Sequence, residues 1–107
     1  AIVHAGLVYV SGMLPIDPAT GEKRLGSIEE QTRQALANVE AALLAAGSSR
    51  HKVLKTTVYV SDIALWGRVN AEYAAFFGDH RPARAVVPTR ELHFGFQIEI
   101  EAVAAVD

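Results

Sequence analysis

The chain has 107 residues, half of them hydrophobic and 21% charged, with a formal net charge of −2. These values fit one globular domain over 1–107 that buries roughly 65% of its unfolded surface, and they exclude a disordered chain. The ten Lys and Arg form no basic stripe, so nucleic acid binding has no electrostatic support, and the absence of cysteine excludes disulfides, thiolate zinc sites and a cysteine nucleophile.

No apolar run approaches the roughly 20 residues of a membrane span, and no signal peptide or lipidation motif is visible. Together with the lack of cysteine, this suits a reducing cytosol, and the expected location is cytoplasmic. The chain opens at Ala1 without methionine and close to a strand, so natural residues are expected to precede it.

Leu7 to Ser11 reads as a strand, β-branched and aromatic, closed by Gly12. A short strand is expected around Met13 to Ile16, before the turn signal Asp17-Pro18-Ala19-Thr20-Gly21. Ser27 and Glu30 form a capping box that starts a helix to Ala46. Ile28, Thr32, Ala35, Leu36, Val39, Leu43 and Ala46 recur at helical spacing, and Gly47 follows as a stop.

Val53 to Val60 alternates as a strand, with Lys55, Thr57 and Tyr59 on its second face. Ser61-Asp62 leads into a second helix, Leu65 to Phe77, whose apolar stripe holds Trp66, Val69, Tyr73, Phe76 and Phe77. Ala83–Thr89 and Gln97–Ala104 are the last strands, and the segment 90–96 suits an antiparallel hairpin between them. The order β-β-α-β-α-β-β predicts an α+β domain of two layers, two helices on one sheet face and a half-polar face left open.

Pro82-Ala83-Arg84 sets an arginine in an apolar strand, and Glu99 follows in the next one. A guanidinium so placed needs an anion. The candidates are an internal carboxylate, Glu99 or Glu101, and a small acidic ligand that leaves Glu99 free to handle water. Asn70 lies on the apolar stripe of the second helix and must find partners. His4, His51, His80 and His93 show no metal-ligand spacing. Ser11-Gly12 lacks a nucleophile elbow, and Gly12 lets backbone approach a turn or ligand.

Several segments together carry a family likeness: Asp17-Pro18-Ala19-Thr20-Gly21, Glu30-Gln31-Thr32-Arg33-Gln34-Ala35-Leu36-Ala37-Asn38-Val39, Val53-Leu54-Lys55-Thr56-Thr57-Val58-Tyr59-Val60, Pro82-Ala83-Arg84 and Ile98-Glu99-Ile100-Glu101-Ala102. In this order, over nearly the whole chain, the sequence resembles the RidA/YjgF family, also called the endoribonuclease L-PSP family. The resemblance implies a chorismate-mutase-like α+β fold, with one mixed sheet against two helices, and a homotrimer with clefts between subunits. It implies hydrolysis of reactive enamines and imines, such as 2-aminoacrylate, to 2-keto acids and ammonia, with no metal or organic cofactor.

In that likeness Arg84 matches the arginine that grips the substrate carboxylate, and Glu99 the glutamate that positions water. Gly12 and Val86 sit where backbone groups meet the ligand, and Asn70 matches a helix asparagine near the site. The chain departs from the family pattern at Ala85, where serine or cysteine is common, at Glu91-Leu92-His93, and at the bulkier Phe94-Gly95-Phe96-Gln97. The family's Gly-Pro-Tyr-Ser segment before the first strand is absent from the sequence. A non-catalytic trimer binding small carboxylates is the alternative. Ribonuclease or translation-inhibitor activity, also attached to the family by name, is opposed by the acidic charge balance.

Overall fold

Ser27 stands just ahead of the long helix, and its hydroxyl accepts from the backbone N–H of Glu30 at 3.2 Å, which satisfies one orphan donor. In the computed structural model, which describes residues 1–106, that helix is α1 (Ile28–Ala45). The second helix is α2 (Trp66–Phe77), and the strands are β1 (Ile2–His4), β2 (Leu7–Met13), β3 (Val53–Val60), β4 (Ala83–Pro88) and β5 (Ile98–Ala105). They form one sheet in the order β1-β2-β5-β3-β4. Only β3 and β4 run parallel; the other neighbours are antiparallel.

The two-layer α+β architecture agrees with the sequence reading, but two of its details differ. The short strand precedes Leu7 rather than following Gly12. Ile2 to His4 pairs back onto Leu7 to Tyr9 through Ala5 and Gly6, both at positive φ, 52° and 77°. Two residues of positive φ give the twist that suits a tight hairpin. Beyond Met13 the chain leaves the sheet, and Ile16 makes only an isolated bridge to Lys23 that closes the Asp17 turn.

The second difference concerns the last two strands, which form no hairpin. β3 lies between β4 and β5 and pairs with both. Physical reasons favour this order. The inward face of β5 is buried at every second residue from Ile98 to Ala104, which demands neighbours on both edges. β4 is bracketed by Pro82 and Pro88 and largely exposed, as suits an edge strand. The link 89–97 makes the crossing through a short 3-10 turn at His93–Gly95, with Phe94 and Gly95 at φ 59° and 77°.

The core lies between sheet and helices. Val8, Val58, Ile98 and Ile100 meet Leu36, Val39, Leu43, Val69 and Phe77, all buried. Gln31, a buried amide on α1, stitches helix to sheet: its Nε2 donates to the Gly26 carbonyl at 3.0 Å, and its Oε1 accepts from Gln97 N–H at 2.9 Å. Arg50 joins three elements. It pairs with Glu40 of α1, donates to the Phe76 carbonyl of α2 at 2.8 Å, and lies over the Phe76 ring. The opposite sheet face carries Tyr9, Lys55, Thr57, Tyr59 and Glu101, as the alternation of β3 and β5 predicts.

On the outer surface Arg68 of α2 grips Glu29 of α1 through two bonds of 2.8 and 2.7 Å. The Arg68 hydrogen bonds hold the Glu29 carboxyl at about 2, well below its ordinary 4.5. A carboxyl whose folded pKa is depressed contributes stability above its unfolded pKa, and that contribution fades as pH falls toward the folded value. The thermal midpoint of Glu29→Gln should therefore lie below that of the wild type at neutral pH and converge on it between pH 4.5 and 2. A difference that stays constant across that range, followed by circular dichroism, would refute the linkage.

Candidate active site

Side chains on paired strands share a face when their residues are in register. Thr56 is opposite Arg84 and Val58 opposite Val86, so Arg84 and Val86 point with the buried side of β3 toward α2. Tyr59 is opposite Glu99 and Thr57 opposite Glu101, so both acids point to the open face. The internal ion pair considered for Arg84 is consequently not made. Glu101 instead accepts from the Tyr59 hydroxyl at 3.0 Å. That bond raises the Tyr59 pKa above its ordinary value, since the carboxylate favours the protonated phenol.

Arg84 is held by α2. Trp66, Asn70 and Tyr73 lie at a spacing of four and three residues, which puts them on one helix face. The guanidinium carbon lies 4.5 Å from the Trp66 ring centroid and 4.6 Å from that of Tyr73. Its Nη1 donates to Asn70 Oδ1 at 3.1 Å. Cation–π contacts of this kind contribute about 0.5–1 kcal/mol each at exposed sites. They fix the plane of the guanidinium without neutralising it.

Tyr73 is braced in turn. Its hydroxyl and that of Thr56 are 2.7 Å apart in the core. Burial pushes the Tyr73 pKa up, opposed by the Thr56 hydrogen bond and by the Arg84 charge. Arg84 itself lies at the surface, with the remaining donors of its fork open. It is therefore an exposed cation on an edge strand and not a buried one.

Glu99 and Gly12 form a second group. The ladder between β2 and β5 pairs Val10 with Ala102 and Met13 with Ile100, so Ser11 and Gly12 share the single position opposite Glu101. Such a bulge bends a strand and re-aims its residues. A Cβ on Gly12 would stand 2.8 Å from Glu99 Cδ and closer still to Oε2. The missing side chain is thus the space in which the half-buried Glu99 carboxylate rests.

One chain therefore brings Arg84, Asn70 and Val86 together on one side of the sheet, and Gly12 and Glu99 together on the other. Sequence reasoning had assigned Trp66 and Tyr73 to the apolar stripe and did not see the aromatic clamp. The 66, 70, 73 spacing facing a strand with an arginine was the signal for it. Among the described residues no group of three or more His, Asp or Glu side chains is arranged to hold a metal. Among the described residues no helix is long and apolar enough to cross a membrane.

The family model described as endoribonuclease L-PSP matches residues 1–106. The chain belongs to that family. A RutC family protein of Pyrococcus horikoshii is 44% identical over 104 residues, which cover 97% of this chain and 82% of that protein. The 2-iminobutanoate/2-iminopropanoate deaminase of Rattus norvegicus is 42% identical, over 97% of this chain and 76% of its own length. Among solved structures, E. coli TdcF with bound serine superposes with a TM-score of 0.93 at 33% identity, over 99% of this chain and 85% of that one. The fold expected of an L-PSP family member is thus the fold observed.

The Glu99 seat can be probed directly. Gly12→Ala meets only the end of a flexible side chain, so its thermal midpoint should fall by less than about 4 °C, a shift worth roughly 1 kcal/mol in a domain this size. A crystal structure of the variant should find the Glu99 carboxylate turned away. An unmoved carboxylate over a displaced β2 would show that the backbone yields instead.

Proposed function

We propose that this L-PSP family member hydrolyses reactive 2-imino acids and their enamine tautomers to 2-keto acids and ammonia. The observation that carries the reading is Arg84: an open guanidinium, oriented by Trp66, Tyr73 and Asn70 and matched to no carboxylate among the described residues. Such a fork grips a substrate carboxylate bidentately. The deaminase name of the Rattus norvegicus relative and the serine bound by TdcF support a ligand that carries an amino-acid carboxylate.

The site works between copies. Arg84 and Glu99 face opposite sides of their own sheet, so a cleft that holds both needs Arg84 of one subunit and Glu99 of another. The expected homotrimer supplies three such clefts. In each, Arg84 fixes the acid end, and Val86 and Gly12 offer backbone groups to the ligand. Glu99 takes a proton from a water as its oxygen adds to the imine carbon and passes it to nitrogen, and it then carries the proton of the new hydroxyl to the amino group as the carbonyl forms. The C–N bond breaks, ammonia leaves and the keto acid remains. No oxidant is consumed. General acid–base help of this kind is worth about 10²–10⁴ in rate.

Ribonuclease action has no comparable support. The charges number 10 basic against 12 acidic, and Arg24, Arg33, Arg50 and Arg68 are spent on carboxylates of the chain itself.

The test uses 2-aminoacrylate generated in situ, with keto-acid release followed over time. Arg84→Ala and Glu99→Gln should each lose about 10²-fold or more in rate while the assembly stays intact. Refolded together in equal amounts, the two variants should recover about a quarter of wild-type activity, because one interface in four then joins an intact Arg84 to an intact Glu99. Activity absent from the wild type would overturn the deaminase reading. Inactive mixtures of two inactive variants would overturn the shared cleft.

A further inference from the structure

Four of the seven arginines are matched to acids of the chain. Arg24 meets Asp17 and Glu22, Arg33 meets Glu72, Arg50 meets Glu40 and Arg68 meets Glu29. Among the described residues Arg81, Arg84 and Arg90 have no carboxylate partner, and of these Arg81 and Arg84 line one cavity of about 390 Å³ between the C-terminal half of α2 and the start of β4. No Asp or Glu lines that cavity. Asn70 in it is engaged by Arg84. His80 in it is engaged as well: its Nε2 lies 2.6 Å from the Val53 carbonyl, which can only accept, so the ring donates there and anchors the cavity wall to β3.

Two exposed guanidinium groups that line one cavity with no acid among its walls make it a site that attracts anions. One substrate carboxylate satisfies Arg84. It leaves Arg81, three residues earlier, whose Cα lies at most about 10 Å from that of Arg84 and whose side chain lines the same cavity. Pro82 between them fixes its own φ and stiffens the spacing. Two cations on the wall of one cavity suit a small molecule with an acid group at each end.

We propose that this cavity is a subsite for a second acid group, and that the chain acts on 2-imino acids whose side chain ends in a carboxylate. The inference rests on the deaminase reading and narrows its substrate class. Arg84 holds the carboxylate beside the imine carbon, and Arg81 holds the distal one. Water cleaves the C=N bond, its oxygen becomes the keto oxygen and ammonia leaves. The distal carboxylate is unchanged.

Calorimetric binding of 2-oxoglutarate and 2-oxobutyrate, the diacid and monoacid products, tests the subsite. So do rates on imines generated in situ by oxidation of glutamate and of 2-aminobutyrate. The wild type should bind the diacid at least about tenfold more tightly, the size expected of one added charge-assisted contact. Arg81→Ala should lower the diacid-to-monoacid ratio of kcat/KM by about tenfold, with Arg81→Lys between the two. Arg84→Ala should lower binding of both acids.

Equal wild-type affinities, or an Arg81→Ala variant that keeps the ratio, overturn the second subsite while hydrolysis of the monoacid imine leaves the deaminase reading standing. Hydrolysis of neither imine overturns both.

Discussion

Strand β3 is paired on both edges, and through it every residue of β4 and β5 is committed to one face of the sheet. Thr56 carries Arg84 to the helix side and Tyr59 carries Glu99 to the other. A shift of one residue on either edge would exchange the faces. On the β5 edge such a shift is blocked because it would expose Ile98 and Ile100, both fully buried, and set Glu101 against the helices. The same apolar burial that stabilises the domain therefore dictates which chemical groups a single chain can bring together.

Around that frame the two halves of the site are built by different means. Arg84 is oriented by its neighbours, two aromatic rings and an amide on α2, and the Thr56–Tyr73 contact ties that clamp to the core. Glu99 is oriented by an absence, the side chain that Gly12 lacks, at a bulge where β2 bends away from β5. Charge fixes neither of them. Each stays available to a group that arrives from outside the chain.

Local pattern made much of this legible. The Ser27 cap, the α1 stripe and the β3 alternation each repeat over many residues, so α1 and β3 could be read in place. Nonlocal pairing could not be read the same way. Nothing in the segment 90–96 reveals that the chain must pass over β3, because the decision rests on which strand needs two neighbours. The β1 hairpin was missed because its turn uses Ala5 at positive φ, a conformation that alanine seldom advertises. Arg84 and Glu99 stood out as residue types, but their opposite facing follows from register, and the aromatic clamp follows from packing between α2 and β4. Those relations appear only once the strand order is known.

A cation cradled by π-faces keeps its full charge and has no preference stored in a built-in counter-ion. Small anions of the medium, such as chloride, phosphate or sulfate, meet the same open Arg84 fork. The composition of the surrounding electrolyte is thus itself a competitor at this surface. Arg84, with no acid beside it among the described residues, gives this edge of the sheet a positive charge that solvent ions alone screen.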